Sequence, residues 1–256
     1  MGYENVELEI NGHVAVLALN HPPANAVSLA TLNDFNSALD DIEKDANVRV
    51  LIVTGRGEKG FCAGFDVSDA ANGEKCGVVG QEVWTRVSRM SIPVIAAVNG
   101  FALGGGCELA LACHFRVMVD TPKAKIGLTE LNLGIIPGWG GTQRLMQVIG
   151  KKKAMDMILF SKKLTAPEAL EVGLVDKVST PEKLMDDVME MAETLSQRPP
   201  LAVKCVLNAM RAGEEKGIDE GLKVELEGTR TVMVSEDAIE GFTAFMERRA
   251  PSFKGK

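Results

Sequence analysis

Pro93-Val94-Ile95-Ala96-Ala97-Val98-Asn99-Gly100-Phe101-Ala102-Leu103-Gly104-Gly105-Gly106-Cys107-Glu108-Leu109-Ala110-Leu111-Ala112 reads as a strand, a glycine-rich loop and a helix in direct succession. Pro93 to Val98 is a short apolar run of the kind that fills a buried strand. Glycines then free the backbone for a sharp change of direction. A helix is predicted from about Cys107 to Ala112, with Glu108 in its first turn, where the helix dipole favours an acid.

The same alternation extends to either side. Val48 to Val53 is another β-branched run, closed by Thr54-Gly55 and followed by a glycine loop to Gly64. Phe115 to Val119 is a strand. A loop from Gly134 to Gly141 leads into a helix over Thr142 to Ile149. Upstream, Val6 to Ile10 and His13 to Leu19 alternate around Asn11-Gly12, a hairpin signal. Leu29, Leu32, Phe35, Leu39 and Ile42 give one apolar helix face, with Ser28 as N-cap. Asp66 to Gly80 reads as polar and mobile, and Val83 to Met90 as a helix. Strands and helices joined by short connections make the first two thirds α/β.

After residue 150 the pattern turns helical. Thr165-Ala166-Pro167-Glu168 is a capping box with proline in the first turn, closed by Gly173. Leu184, Val188, Met191 and Leu195 form a stripe. Pro199-Pro200 breaks the chain, and two helical segments follow, Leu201 to Ala212 and Ile218 to Phe245.

Composition limits the function. The 256 residues suffice for one large domain that needs no staple. At 46% apolar and 25% charged the chain is not a disordered one. Glycine is in excess, 26 residues against a usual ~7%. A net charge of −7 and few aromatics argue against a nucleic-acid platform. Five cysteines (Cys62, Cys76, Cys107, Cys113, Cys205) without a CxxC pair suggest free thiols in a reducing compartment. No secretory signal or membrane span is visible, so the expected address is cytoplasmic. GxGxxG, Walker A, GxSxG and HExxH motifs are absent. His13, His21 and His114 are the histidines, each read as structural, and no spacing suits a metal.

Two glycine loops therefore carry the interest, Lys59 to Asp66 and Asn99 to Glu108. Backbone N–H groups delivered by two such loops can form an oxyanion hole. Taken singly, each loop is as well explained by a turn at Gly64 and by close strand–helix packing at the triplet. Glu108 and Glu130 sit beside glycine loops in apolar surroundings, where burial shifts a carboxyl toward acid–base work.

Phe61-Cys62-Ala63-Gly64-Phe65-Asp66, the stretches Pro93 to Gly100 and Ala102 to Ala110, and Gly134-Ile135-Ile136-Pro137-Gly138-Trp139-Gly140-Gly141-Thr142-Gln143-Arg144-Leu145 together resemble the crotonase (enoyl-CoA hydratase/isomerase) superfamily. Ala169 to Asp176 and the tail Ala244 to Arg249 extend the match over nearly the whole chain, and it is most like the short-chain hydratases. The resemblance implies an α/β spiral of repeated ββα units over residues 1–195 and a helical C-terminal trimerisation region over 196–256. It implies an acyl-CoA thioester partner and no prosthetic cofactor, coenzyme A being part of the substrate. Homotrimers or dimers of trimers are expected, without nucleic acid or membrane.

By motif position the oxyanion hole falls to the N–H groups of Phe65 and Gly105, and the catalytic pair to Glu108 and Glu130. Gly138 is placed at a bound water. Trp139, where many relatives have a smaller residue, either caps the acyl pocket or packs in the core. Ala63, Phe245 and Arg248 fall at coenzyme A positions; for Arg248 a solvated helix end is the competing reading. Two glutamates imply hydration of a 2-enoyl-CoA to a 3-hydroxyacyl-CoA. The alternatives are a Δ3,Δ2-enoyl-CoA isomerase, a cyclic enoyl-CoA hydratase, thioester hydrolysis, or a non-catalytic RNA-binding relative.

Overall fold

The computed structural model describes residues 2–57 and 59–256. Met1 and Glu58, which belong to the N-terminal reading and to the Gly55–Gly64 loop, lie outside the described residues. The order is β1 (Val6–Asn11), β2 (Val14–Leu19), β3 (Ala26–Val27), α1 (Leu29–Lys44), β4 (Val50–Gly55), β5 (Gly60–Cys62), β6 (Gly64–Phe65), α2 (Gly73–Ser88), β7 (Val94–Val98), β8 (Phe101–Leu103) and α3 (Gly105–Ala112). Then follow β9 (Phe115–Val119), β10 (Ile126–Gly127), α4 (Gly141–Ile149), α5 (Lys151–Leu159), α6 (Ala166–Glu171), β11 (Lys177–Ser179), α7 (Leu184–Ser196), α8 (Pro200–Lys216), α9 (Ile218–Met233) and α10 (Glu236–Glu247).

Asn11-Gly12 closes the β1–β2 hairpin, with Asn11 opposite Val14 and Gly12 at φ +60°. From β2 onward the chain repeats one unit: a strand of the large sheet, a short strand of a second layer, then a helix. The large sheet runs β1-β2-β4-β7-β9-β11, parallel except for the hairpin. The second layer is β10-β8-β5 with the separate pair β3-β6, all parallel. The expected ββα spiral is thus present. β4 and β7 are buried along their whole length, as parallel strands covered on both faces must be.

Ser28 caps α1 by accepting from Thr31 N, and the capping box at Thr165–Glu168 is formed. Two expectations need correction. The segment from Asp66 to Gly80 is not a polar mobile stretch: a 3₁₀ turn (Val67–Asn72) leads into α2, which starts at Gly73. Its inward face is Cys76, Gly80, Val83, Trp84 and Val87, and small residues there hide the apolar periodicity. The segment Ile218 to Phe245 is two helices, because Ser235 breaks the run and caps α10 through Ala238 N. α5 was not anticipated; its amphipathicity rests on just Ala154 and Met157 buried. The strands of the second layer have two or three residues each, too few to show a period.

Candidate active site

α3 starts directly after β8, and Gly104 makes the corner at φ +54°. Gly105 N–H is the first of the helix, so it has no acceptor within α3, and it makes no other main-chain hydrogen bond among the described residues. The loop between β5 and β6 comes up against it. Gly64 sits at φ +90°, and a Cβ there would lie 2.7 Å from the Leu103 carbonyl oxygen and 2.9 Å from Gly105 N. Glycine is required here for the two loops to touch. One residue on, Asp66 N–H donates to Val27 O at 3.0 Å. Strand alternation therefore turns the Phe65 N–H away from β3. Phe65 and Gly105 thus supply two main-chain donors beside the junction of two glycine loops, at the positive end of a helix dipole.

Glu108 lies on the first turn of α3 and is 2% exposed. Its Oε1 accepts from Trp139 N and from Gly141 N, both at 2.8 Å. The Gly134–Gly141 loop therefore reaches the site through its backbone. Burial pushes the Glu108 carboxyl up to about 7, and the neighbouring Glu130 charge adds to the rise. The two N–H donors and the Arg144 guanidinium work against it.

Glu130 opens a 3₁₀ turn (Glu130–Leu133) after β10 and is 8% exposed. Neither of its oxygens has a hydrogen-bond partner among the described residues. Its Oε1 faces Gly104, 3.4 Å from where a Cβ would stand. Burial raises its pKa; the N–H groups of Thr129 and Glu130 itself weaken the rise without reaching hydrogen-bond geometry. An unpaired buried carboxyl favours its protonated form. The fold thus gathers one carboxylate held by two donors and one carboxyl with free oxygens around the start of α3.

Trp139 contributes twice. Its N–H holds Glu108, while its indole is buried in a slot between α2 and α3. A Cβ on Gly80 or on Gly105 would overlap the indole. Nε1 donates to Cys76 O at 2.9 Å. The ring meets Phe65 and Trp84 edge-on, with centroids 6.5 Å and 5.8 Å away. Gly138 is exposed; its carbonyl accepts from Gln81 at 3.3 Å and its N–H has no main-chain partner among the described residues.

Of the other residues, Ala63 is half-buried between β5 and β6, and its N–H is taken by Ala24 O. Phe245 and Arg248 are not among the groups gathered around Glu108. Phe245 lies on α10, with Arg248 as its C-cap, and α10 packs on α9. Phe245 is exposed and lines an apolar groove with Phe242 and Phe253. Among the described residues it is Arg249, rather than Arg248, that is ion-paired, to Glu240 and Glu247.

Sequence reasoning missed Gly80 and Cys76, which seat the indole, and Arg144. Arg144 donates to Trp139 O at 2.7 Å and to Thr85 at 3.1 Å, steadying the turn that clasps Glu108. Nothing in the sequence distinguishes Arg144 from a surface arginine, because its burial arises only in the folded chain. His114 is structural as expected: its Nδ1 accepts from Val94 N, and burial lowers its pKa to about 4. Among the described residues no group of three or more His, Cys, Asp and Glu is placed to hold a metal ion.

The enoyl-CoA hydratase/isomerase family model matches residues 9–256. A short-chain-enoyl-CoA hydratase of Clostridium acetobutylicum is 41% identical, over 97% of each chain. A crotonyl-CoA hydratase of Syntrophomonas wolfei is 40% identical over the full length of both. The crystal structure of an enoyl-CoA hydratase from Bacillus anthracis superposes with a TM-score of 0.95 at 38% identity, covering 99% of this chain and 100% of that one. With the spiral fold, the paired glycine loops and the two buried glutamates in place, the chain belongs to the enoyl-CoA hydratase/isomerase family.

Proposed function

We propose that the protein is an enoyl-CoA hydratase, adding water reversibly across the C2–C3 bond of a 2-enoyl-CoA to give a 3-hydroxyacyl-CoA. The observation that carries this reading is the pair of buried glutamates of unlike surroundings beside the N-terminus of α3. The thioester oxygen takes the N–H groups of Phe65 and Gly105. As water attacks C3, charge moves onto that oxygen, and each preorganised donor is worth about 3 kcal/mol to the transition state. Glu108, held by Trp139 and Gly141, accepts the proton of the attacking water. Glu130, whose pKa burial raises, delivers its proton to C2. Adjacent carboxyls resist double ionisation, so the pair holds one proton near neutral pH. The water lies within reach of both glutamates, with the Gly138 N–H as a further donor.

The acyl-CoA thioester is the substrate, and the reaction needs no separate cofactor. Arg248 and Phe245 serve coenzyme A across a subunit boundary, in keeping with their exposure and their place on α10. The helices from Pro200 onward form the oligomer contact of a homotrimer or dimer of trimers. Exposed Val206, Met210, Leu222 and Leu226 on α8 and α9 support that assignment. Five free cysteines suit a cytoplasmic setting, and no described helix is long and apolar enough to cross a membrane.

The test is loss of the enoyl-thioester absorbance of crotonyl-CoA on addition of the protein, with the 3-hydroxyacyl product identified by mass. No absorbance loss with any straight-chain or cyclic enoyl-CoA refutes the reading.

A further inference from the structure

The mechanism uses the main-chain N–H of Trp139 and leaves its indole without a task. That indole is nevertheless built in with care. It lies where a Cβ of either Gly80 or Gly105 would stand, so both positions must be glycine for it to fit. Its Nε1 is fixed by Cys76 O, and Trp84, fully buried behind it, donates its own Nε1 to Gly105 O at 3.1 Å. Phe65 closes the near edge. The two residues whose N–H groups would hold the thioester oxygen, Phe65 and Gly105, therefore both lie against the indole. An acyl chain bound at those N–H groups, with C3 at Glu108, reaches this aromatic wall within a few carbons. The wall cannot retreat, because Trp84 and α2 support it from behind.

On the hydratase reading, we infer that the Trp139 indole is the residue that sets acyl length, admitting short 2-enoyl thioesters and stopping longer ones at the slot between α2 and α3. The indole does this without touching the catalytic pair, because Glu108 is held by the Trp139 main-chain N–H, which alanine or leucine retains. Removing it leaves an apolar channel lined by Gly80, Gly105 and Trp84, in which further methylenes gain burial, at about fourfold each.

The experiment measures kcat/KM for crotonyl-, hexenoyl-, octenoyl- and decenoyl-CoA with the wild-type protein and with Trp139→Ala. The wild type is expected to favour crotonyl-CoA over decenoyl-CoA by about tenfold or more, the scale on which one apolar pocket discriminates. The variant is expected to lose that preference, its gain falling on the longer substrates. Trp139→Leu keeps an apolar plug if the alanine variant proves unstable, and an intermediate preference is expected of it. A wild type indifferent to length, or a folded variant with the wild-type length profile, overturns this inference alone. No turnover of any substrate by the wild type overturns the hydratase reading, and this inference with it.

Discussion

Glu108→Gln should stabilise the protein at neutral and alkaline pH while abolishing hydration. Trp139 and Gly141 both donate to the same carboxyl oxygen, and the amide oxygen of glutamine can take both bonds in its place. What disappears is the charge. The folded protein holds this carboxyl up to about 7, against 4.5 for an unhindered one, chiefly through burial. At about 1.4 kcal/mol for each pH unit, that gap amounts to about 3 kcal/mol. The sign follows from proton binding. Below pH 4.5 the group is protonated in both the folded and the unfolded chain, so it contributes no penalty. Between 4.5 and about 7 the unfolded chain releases the proton first, and wild-type stability falls as pH rises; above about 7 the loss is complete. Glutamine does not titrate. The advantage of the variant should therefore grow by about 3 kcal/mol from acid to pH 8, with Glu130 titrating in both proteins and cancelling to first order. Urea denaturation at fixed protein concentration, at a series of pH values, reads this directly. A stability difference independent of pH over that range would refute the account of Glu108 as a buried, destabilised carboxylate.

Other consequences are open to test. Glu130→Gln should lose hydration by at least a hundredfold, the usual scale of general acid catalysis, while calorimetry shows saturated acyl-CoA binding unchanged; full activity would remove Glu130 from the proposed pair. The pH profile of kcat/KM should rise as Glu108 ionises through about 7; a flat profile between pH 6 and pH 9 contradicts its role as the base. Gly64→Ala should destroy activity, since a Cβ there strikes Leu103 O and Gly105 N in a left-handed conformation, at a cost of about 1–3 kcal/mol; wild-type kcat would show that the loops need not touch. Gly80→Ala should destabilise by about 1–3 kcal/mol through overlap with the indole. Combining it with Trp139→Ala should recover part of that loss, whereas strict additivity in the double-mutant cycle would mean that the two do not pack together.

Much of the architecture could be read before any coordinates. Strands such as Val94–Val98 announce themselves through unbroken apolar runs, and α1 through its spacing and Ser28, because both signals are local. The second-layer strands escaped notice because two or three residues carry no period. The first half of α2 escaped because its inward face is built from Cys76 and Gly80, small residues that admit a ring from elsewhere. Glu108 and Glu130 stood out in the sequence by their places beside glycine loops. Their difference in character did not, since it depends on N–H donors 31 and 33 residues away for one and on the lack of a hydrogen-bond partner among the described residues for the other.

By itself, then, the sequence determined the order of strands and helices, the positions of the glycine turns and the residue types available for chemistry, all of which are properties of neighbours along the chain. Only the tertiary structure decided that Gly64 lies against Gly105 N, that Trp139 N–H rather than a side chain holds Glu108, and that the indole fills a slot between α2 and α3. Those are contacts between segments tens of residues apart, and burial, which moves both carboxyls toward neutrality, exists only once the segments have come together.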